Sequence, residues 1–518
     1  MRGMKKWRWS LLCIICVALL WWVPSLVESV CQLRSLPPGV AWEIRFNDKV
    51  NEQDDPFHVT MDRQGHLLVT GMSFTGKGSG TWIAKHDGKT GDEIWRSPAD
   101  FAVKSVPVVD SNNDVYLAGA LARGYRRGPI APPFSGPDTD FAMSKMSGGN
   151  RAIDWTRSFD GGLHDTDWAE KLVLATDGNP VAAGFTPDDT RYFGCVQEVD
   201  AKDGRMIWQY RTQNVPVVFW HGSLDLVSTK DGGVVVASTR KSDDPFKAEA
   251  TFWMAKLNQD DGTAVWTIEF PQQPPQSHFL RKLAILPDGD LVAVGYHAKS
   301  RGRSLVVARF GGSDGRLIWN RDISGDTHET LEPTGLLVDA GGDVIVGARS
   351  WNGSLTSPLH DSWVIKLSDV DGSEVWTKRD AGTRAPYDAG KICATRKLLL
   401  GVGGTLLSAG SFWNGKNADV RVDWLSSSDG SVRRSLTYDG AAGDHDLFRD
   451  ATVTPDGEIV VALSSSRCPG WIKPLKAFRY RLSGGRDWRS IHSETNNLDD
   501  VDPYNYDSVI WKSASNHK

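Results

Sequence analysis

Short apolar runs separated by polar turns recur along most of the chain. Residues 284–295 read Ala-Ile-Leu-Pro-Asp-Gly-Asp-Leu-Val-Ala-Val-Gly, and residues 452–461 repeat the arrangement. Apolar runs on either side of Asp-Gly predict β-hairpins, because glycine accepts the positive φ that a tight hairpin turn requires. After the first thirty residues no stretch shows sustained apolar periodicity of 3.6 residues. The pattern therefore predicts an all-β fold.

A second motif consists of a polar turn ending in glycine, three further residues, and tryptophan. Arg434 takes the aromatic position in one degenerate copy, and Trp42 begins the series. Successive landmarks from Trp42 to the last copy lie 53 to 60 residues apart, and the eight intervals indicate eight structural units. The other copies place tryptophan at Trp95, Trp155, Trp208, Trp266, Trp319, Trp376 and Trp488.

Each interval contains four short apolar runs, and four antiparallel strands per repeat are typical of a propeller blade. The sequence predicts an eight-bladed β-propeller over residues 38–492, with seven blades as the alternative. A polar C-terminal tail is expected at 493–518. We expect the seven motif tryptophans from Trp95 to Trp488 to be structural. A large flat ring can fill the wedge between adjacent blades, and its indole N–H can reach a backbone carbonyl of the neighbour.

The first thirty residues predict export. Four basic residues between Arg2 and Arg8 precede a 13-residue apolar stretch at 11–23. That stretch is shorter than the ~20 residues of a membrane span and suits a signal peptide. Its extension through Val27 leaves an uncleaved membrane anchor as the alternative. Either way the body is expected to be extracytoplasmic, as a secreted, periplasmic or membrane-anchored protein. Membrane contact is expected only through residues 1–30.

Composition narrows the class further. The 518 residues are 40% hydrophobic and 24% charged, which excludes disorder as a description of the whole chain. The formal net charge of −5 gives no electrostatic footprint for nucleic acid. Outside the leader, four widely spaced cysteines predict neither a disulfide scaffold nor a metal site. Buried thiols and one or two disulfides both stay open.

One set of polar residues recurs where the outer strand of one blade leads to the inner strand of the next. In propellers such connections converge around the channel mouth, where a ligand could bind. The alternative is that each residue bonds to strand ends locally. No catalytic residue and no metal ligand is assigned. The candidate ligand-binding residues are His164, Asp167, His221, His278, His328, His445 and Asp446.

Residues 87–95 read Asp-x-x-Thr-Gly-x-x-x-Trp, and residues 200–208 give a near match. This motif resembles the tryptophan-docking motif of the quinoprotein-type, or PQQ-like, β-propeller repeat family. The resemblance covers about residues 38–492 and implies an exported propeller. Some members of that family are quinone-dependent dehydrogenases, and others are non-catalytic scaffolds. The adjacent cysteine pair common in the dehydrogenases is missing outside the leader, and so is a Cys-x-x-Cys-His haem motif.

The sequence thus favours a monomeric, non-catalytic scaffold that binds a protein or another extracytoplasmic ligand. The alternative is an enzyme with a His/Asp site in the channel mouth, acting as a hydrolase, a lyase or a PQQ-like oxidoreductase. No cofactor is expected, since no residue pattern supports Ca²⁺ or PQQ. A basic, proline-rich segment at 123–134 is either a partner-binding loop or a tolerated insertion.

Overall fold

The structure is a computed structural model of the chain. Almost every element in it is a β-strand, and the described part has one short 3-10 helix, Val402–Gly404. Among the residues that the structure describes, no helix is long and apolar enough to cross a membrane. The predicted leader, residues 1–30, lies outside the described residues. The described residues are 36, 38–46, 54–75, 78–124, 138–149, 151–161, 166–187, 192–216, 224–241, 250–270, 277–299, 302–325, 329–351, 360–380, 394–440, 443, 445–466 and 506–514.

Most strands form four-stranded antiparallel units in chain order, which we number from the N-terminal side. Unit 1 follows β1 (Val40–Phe46) and contains β2 (Asp54–Met61), β3 (Leu67–Thr75), β4 (Gly78–His86) and β5 (Glu93–Pro98). In unit 2 the first strand is split into β6 (Ala102–Val103) and β7 (Val108–Val109), before β8 (Val115–Gly124), β9 (Asp138–Met146) and β10 (Ile153–Phe159).

Units 3, 4 and 5 keep the regular pattern. Unit 3 contains β11 (Trp168–Leu174), β12 (Pro180–Pro187), β13 (Tyr192–Val199) and β14 (Met206–Pro216). Unit 4 contains β15 (Asp225–Ser228), β16 (Val234–Lys241), β17 (Ala250–Leu257) and β18 (Ala264–Phe270). Unit 5 contains β19 (Ser277–Ile285), β20 (Leu291–Ala298), β21 (Arg303–Phe310) and β22 (Leu317–Ile323).

Units 6 and 7 also have four consecutive strands, whereas unit 8 combines strands from distant parts of the chain. Unit 6 contains β23 (Thr330–Val338), β24 (Val344–Trp351), β25 (His360–Leu367) and β26 (Glu374–Asp380). Unit 7 contains β27 (Ala394–Leu400), β28 (Leu406–Trp413), β29 (Ala418–Leu425) and β30 (Val432–Tyr438). Unit 8 contains β31 (Asp446–Val453), β32 (Ile459–Ser466), β33 (Tyr506–Ser513) and, on its outer edge, β1.

Within the described ranges these strands make up seven sheets, because units 5 and 6 share one. A single parallel pair, Arg303 with Thr330, joins them. The prediction of an all-β fold built from four-stranded antiparallel sheets is confirmed.

The hydrophobic core lies in the seams between neighbouring units. Each of the eight apolar clusters in the described residues draws mainly on two adjacent units, and the one containing Val69 and Val460 joins unit 1 to unit 8. The second strands, such as β20, are buried along almost their whole length. Both faces of such a strand meet another sheet, which is why these segments read as continuous apolar runs.

The last strand lies where the sequence predicts a peripheral tail. β33 pairs with β32 on one side and with β1 on the other. Val509, Ile510 and Trp511 are fully buried. The sheet therefore extends beyond the boundary predicted at residue 492. The predicted landmark Trp488 lies outside the described residues, and Trp42 on β1 occupies the outer strand of unit 8.

The motif tryptophans lie on the outer strands and contact the next unit. Five of the described indole N–H groups donate to a backbone carbonyl of that unit, as Trp319 does to Asp369 at 2.7 Å. The turn glycine of the next unit lies on the ring face: a Cβ on Gly372 would approach Trp319 to 2.6 Å. Gly372 also has a φ of +70°, so the turn combines two requirements for glycine. The other four donors are Trp155, Trp208, Trp266 and Trp376.

Two departures from the motif meet at the seam between units 7 and 8. Arg434 takes the tryptophan position and donates to the carbonyl of Ala514 at 3.0 Å, so it bonds as the indoles do. The amide of Ala514 in turn donates to the carbonyl of Gly39 at 2.7 Å. In the other units a hairpin joins the third and fourth strands. In unit 8 the corresponding strands, β33 and β1, come from opposite ends of the described chain.

Candidate functional site

The first strands of the units contact one another in succession. Contacts join β11 to β15, β15 to β19, β19 to β23, β23 to β27, β27 to β31 and β31 to β2. The circuit continues where the imidazole Nε2 of His58 lies 3.2 Å from the carbonyl oxygen of Lys104, and where β7 contacts β11. These strands therefore line the axis around which the units are arranged.

Charged side chains recur at one position of these inner strands. In every unit except unit 2 this position lies seven residues before the hairpin glycine. Most of the first strands also have a β-bulge at this point, as between Leu280 and Lys282, and a bulge re-aims the side chains beside it. In unit 2, where the first strand is split, Lys104 follows β6. We use the name girdle for the charged residues at this position together with Lys104 and with Glu170, the neighbour of Lys171; the full set is His58, Lys104, Glu170, Lys171, Asp225, Lys282, Lys397 and Asp450.

Two girdle carboxylates each connect three units. Asp225 accepts the backbone N–H of Leu283 at 2.8 Å, and Lys171 Nζ lies 3.4 Å from its other oxygen. On the opposite side of the circuit, Asp450 accepts the N–H of Val59 at 3.0 Å and pairs with Lys397. Charge-assisted hydrogen bonds of this kind fix neighbouring inner strands relative to one another.

Two girdle lysines have a different environment. The pKa of Lys282 is lowered, first by the positive charge of Lys171 and then by burial, although Asp225 partly offsets both effects. Burial lowers the pKa of Lys104, whose ammonium lies 5.9 Å from the Trp168 ring centroid. The girdle therefore concentrates cationic groups that are only partly neutralised.

Asp167 and Asp446, two of the residues predicted for the channel mouth, hold backbone at the entry to an inner strand. Asp167 accepts the N–H of Gly161 at 3.0 Å, and Asp446 accepts the N–H of Gly440 at 2.7 Å. Burial raises the pKa of Asp167 to about 6 and that of Asp446 well above its ordinary value. Both aspartates thus bond to backbone close to their own strand, as expected if these residues bond to strand ends locally instead of binding a ligand.

The surroundings of these two aspartates share a further feature. Carboxylate oxygens of Asp419, Asp439 and Asp446 lie within 4.8 Å of one another. The same separations in sequence, 20 and then 7 residues, recur in Asp140, Asp160 and Asp167, and there Arg123 forms an ion pair with Asp140. Asp419 instead accepts hydrogen bonds from two asparagine side chains, Asn414 at 2.7 Å and Asn417 at 3.0 Å.

Of the predicted histidines, the two that the structure describes lie at different seams. His278 is buried at the seam between units 4 and 5, where its ring stacks on His297 with centroids 4.7 Å apart. His445 Nδ1 accepts the N–H of Ala418 at 3.1 Å, at the seam between units 7 and 8. His164, His221 and His328 lie outside the described residues.

Asp446→Asn is expected to raise the melting temperature at pH 8 and to lose this advantage as the pH falls toward 4. The folded pKa of Asp446 lies above its unfolded value, so the folded state binds the proton more tightly. This contribution to stability is complete at low pH and is lost as the pH rises through the folded pKa. Melting curves across this pH range test the expectation.

Asp371→Asn is the matched control, since Asp371 is exposed and hydrogen bonds from Ser373 lower its pKa. It should show no gain at pH 8. An Asp446→Asn melting curve that tracks the wild type at every pH would contradict the assignment of a raised pKa.

Reasoning from the sequence missed the girdle. Its signal is a pair of adjacent polar residues inside an otherwise apolar first strand, such as Glu170-Lys171 or Arg281-Lys282. The pair lies at a constant distance before the hairpin glycine. This signal lies within the strands and not in the connections between them.

The described part of the chain contains one cysteine. Cys195 is fully buried and its thiol has a pKa raised to about 11 by burial. It lies beside Gln197 and Gln209 in the interior of unit 3. This thiol is therefore not placed to contact a quinone.

Solved propellers have a similar fold. The crystal structure of quinohemoprotein alcohol dehydrogenase from Comamonas testosteroni matches with a TM-score of 0.50 and 10% identity, over 91% of this chain and 76% of that one. A europium-containing methanol dehydrogenase gives 0.48 and 11%, over 94% of both chains. The Dos1 propeller gives 0.45 and 10%, over 84% and 94%. Identities this low concern the fold alone.

Among curated proteins, none matches this sequence. A family model described as "Outer membrane protein assembly factor BamB" matches residues 198–358 and 250–495. Together these ranges cover more than half of the chain. They contain the tryptophan-docking turns of units 4 to 7 and the girdle lysines Lys282 and Lys397. The chain therefore belongs to the PQQ-like β-propeller repeat family.

Proposed function

We propose that this chain is an exported, eight-bladed propeller that acts as a non-catalytic scaffold and binds its partner on one face. Eight four-stranded units with eight apolar seams, one of which joins unit 8 to unit 1, favour eight blades over seven. The basic and apolar leader supports export. So does membership of a family whose model bears the name of an outer-membrane assembly factor.

The observation that carries the proposal is the difference between the two faces of the ring. Strands alternate in direction, so the first-to-second and third-to-fourth turns leave at one face. These turns are tight and are closed by backbone hydrogen bonds such as Gly178 N–H to Ala175 and Gly204 N–H to Asp200. The strands that flank the longest connections, including residues 125–137 and 381–393, end at the opposite face. Long loops on a rigid frame are where proteins concentrate binding residues.

The polar groups on the axis support binding rather than chemistry. Asp225 and Asp450 are engaged by backbone N–H groups and lysines of neighbouring units. Asp167 and Asp446 hold glycine N–H groups. Side chains bonded in this way maintain the ring, and the variable connections supply the recognition surface.

Site-specific photo-crosslinking tests the use of the two faces. Lys416 lies exposed in the β28–β29 connection at the long-loop face, and Asp371 lies exposed in a tight turn at the other. We expect Lys416→p-benzoylphenylalanine to give a discrete crosslinked protein in intact cells, and Asp371→p-benzoylphenylalanine to give none.

Equal products from both positions would contradict face-specific binding. Turnover of an alcohol by purified protein supplied with a quinone and Ca²⁺ would contradict the non-catalytic role and favour the oxidoreductase alternative.

A further inference from the structure

From unit 3 through unit 8 to unit 1 the girdle alternates in charge, and within this stretch the alternation is broken in unit 6 alone. An acid stands between two basic residues in units 4 and 8, and glycine takes the acid's place in unit 6. From unit 3 through unit 8 to unit 1, the residues seven positions before the hairpin glycine are Lys171, Asp225, Lys282, Gly335, Lys397, Asp450 and His58.

Where the acid is present, it makes the same two kinds of bond. One oxygen accepts the backbone N–H that follows the next girdle residue: Leu283 for Asp225 and Val59 for Asp450. The carboxylate also attracts the lysine of the preceding unit, Lys171 or Lys397. The inner strands thus offer a carboxylate one N–H donor from the following unit and one ammonium from the preceding unit.

Unit 6 has the same surroundings without the acid. The equivalent N–H belongs to Leu398, and its nitrogen lies 3.7 Å from the position that a Cβ on Gly335 would occupy. Within the described part of the chain, that N–H has no side-chain acceptor, whereas its counterparts at Leu283 and Val59 each have one.

The neighbouring cations are also present. Lys282, in the preceding unit, forms no hydrogen bond or ion pair with any residue that the structure describes. Lys397, in the following unit, is near enough for its positive charge to help lower the pKa of Lys282. Gly335 does not have a positive φ, and nothing lies closer than 3.4 Å to a Cβ built there. By analogy with units 4 and 8, a carboxylate at this point would meet the ammonium of Lys282 and the backbone N–H of Leu398, while Lys397 pairs with Asp450.

We propose that the axis of the ring has a carboxylate-binding site at Gly335, formed by Lys282 and the N–H of Leu398. Its ligand is a small molecule bearing a carboxylate group, which takes the place that an aspartate side chain takes in units 4 and 8. Carboxylate fits because its two oxygens accept from an N–H and an ammonium at once. The site goes beyond the scaffold function, since it does not depend on what the face loops bind.

Isothermal titration calorimetry with acetate and succinate tests the site, with chloride keeping the ionic strength constant. We expect saturable binding at one site in the wild type and at least tenfold weaker binding in Lys282→Met. Lys202→Met, which removes an exposed turn lysine, should bind as the wild type does. Absence of saturable binding to the wild type, or equal affinity in Lys282→Met, would overturn the proposal. Binding of inorganic phosphate but not of either carboxylate would overturn the ligand class.

A second pair of variants separates the site from effects on folding. Gly335→Asp supplies the carboxylate within the chain, so we expect it to abolish acetate binding and to raise the melting temperature above that of Gly335→Asn. The asparagine variant matches it in size and lacks the charge. If the two variants melt at the same temperature, Lys282 does not face Gly335 and the proposal fails.

Discussion

Deleting residues 506–518 is expected to abolish cooperative folding of the whole ring. The deletion removes β33, which forms the middle of unit 8 between β32 and β1. Without it the fully buried Val509, Ile510 and Trp511 are lost, and the outer strand β1 has no partner. Unit 8 also closes the seam with unit 1, so a local deletion opens the circuit. Calorimetric unfolding should lose the sharp transition of the intact chain.

Deleting only residues 515–518 is the matched control and should leave the transition unchanged. Trp511→Ala gives a graded version, with an expected loss of ~3–5 kcal/mol in the free energy of unfolding. A chain ending at residue 505 that unfolds cooperatively at the wild-type temperature would contradict the assignment of β33 to unit 8.

Trp319→Ala should lower the free energy of unfolding by ~3–5 kcal/mol, because it leaves a large cavity in the seam between units 5 and 6. The ring is 7% exposed, its N–H bonds to the carbonyl of Asp369, and Gly372 lies on its face. Trp319→Phe keeps most of the apolar contact and loses the hydrogen bond, so it should cost less. Chemical denaturation measures both losses.

Ile318→Ala is the control on the same strand. Ile318 is 42% exposed and points away from the seam, so its replacement should change the free energy of unfolding by less than about 1 kcal/mol. Equal losses at positions 318 and 319 would show that the strand, rather than docking of the indole, determines the effect.

Most of the fold could be predicted from the sequence because the docking turn of each unit requires glycine for two local reasons, and both recur along the chain. The docking turn needs glycine where φ is positive and where the preceding tryptophan approaches, as at Gly372. That pair marks the outer strands even where the apolar runs vary in length. β33 escaped prediction because the turn that would mark it is divided. Gly39 supplies its glycine from the other end of the chain, and residues 467–505 separate β33 from β32 in sequence.

The candidate site was predicted less well, for a physical reason. Polar residues in the connections were predicted to bind a ligand, yet Asp167 and Asp446 accept hydrogen bonds from backbone N–H groups. A charged residue within an apolar strand, such as Lys282, interrupts the apolar pattern of that strand. Its equivalence to charged residues in other units is recognised only when the bulged positions of the inner strands are aligned. The informative property of the girdle is a missing charge at Gly335, which becomes visible only when equivalent positions are compared around the circuit.

The girdle and the pairing of the two chain ends both depend on closure of the ring. The girdle exists as a circuit only if unit 8 joins unit 7 to unit 1, and that unit depends on pairing between β1 and β33. Asp450 of unit 8 holds the N–H of Val59 in unit 1 at 3.0 Å. The seam cluster around Val69 includes Ile510 of β33.

Hydrogen–deuterium exchange of the intact protein, read by mass spectrometry, tests this closure most directly. We expect the backbone amides of residues 506–513 to exchange as slowly as those of β17, Ala250–Leu257, the equivalent third strand of unit 4. Exchange of residues 506–513 at the rate of an unstructured peptide, while β17 stays protected, would contradict it.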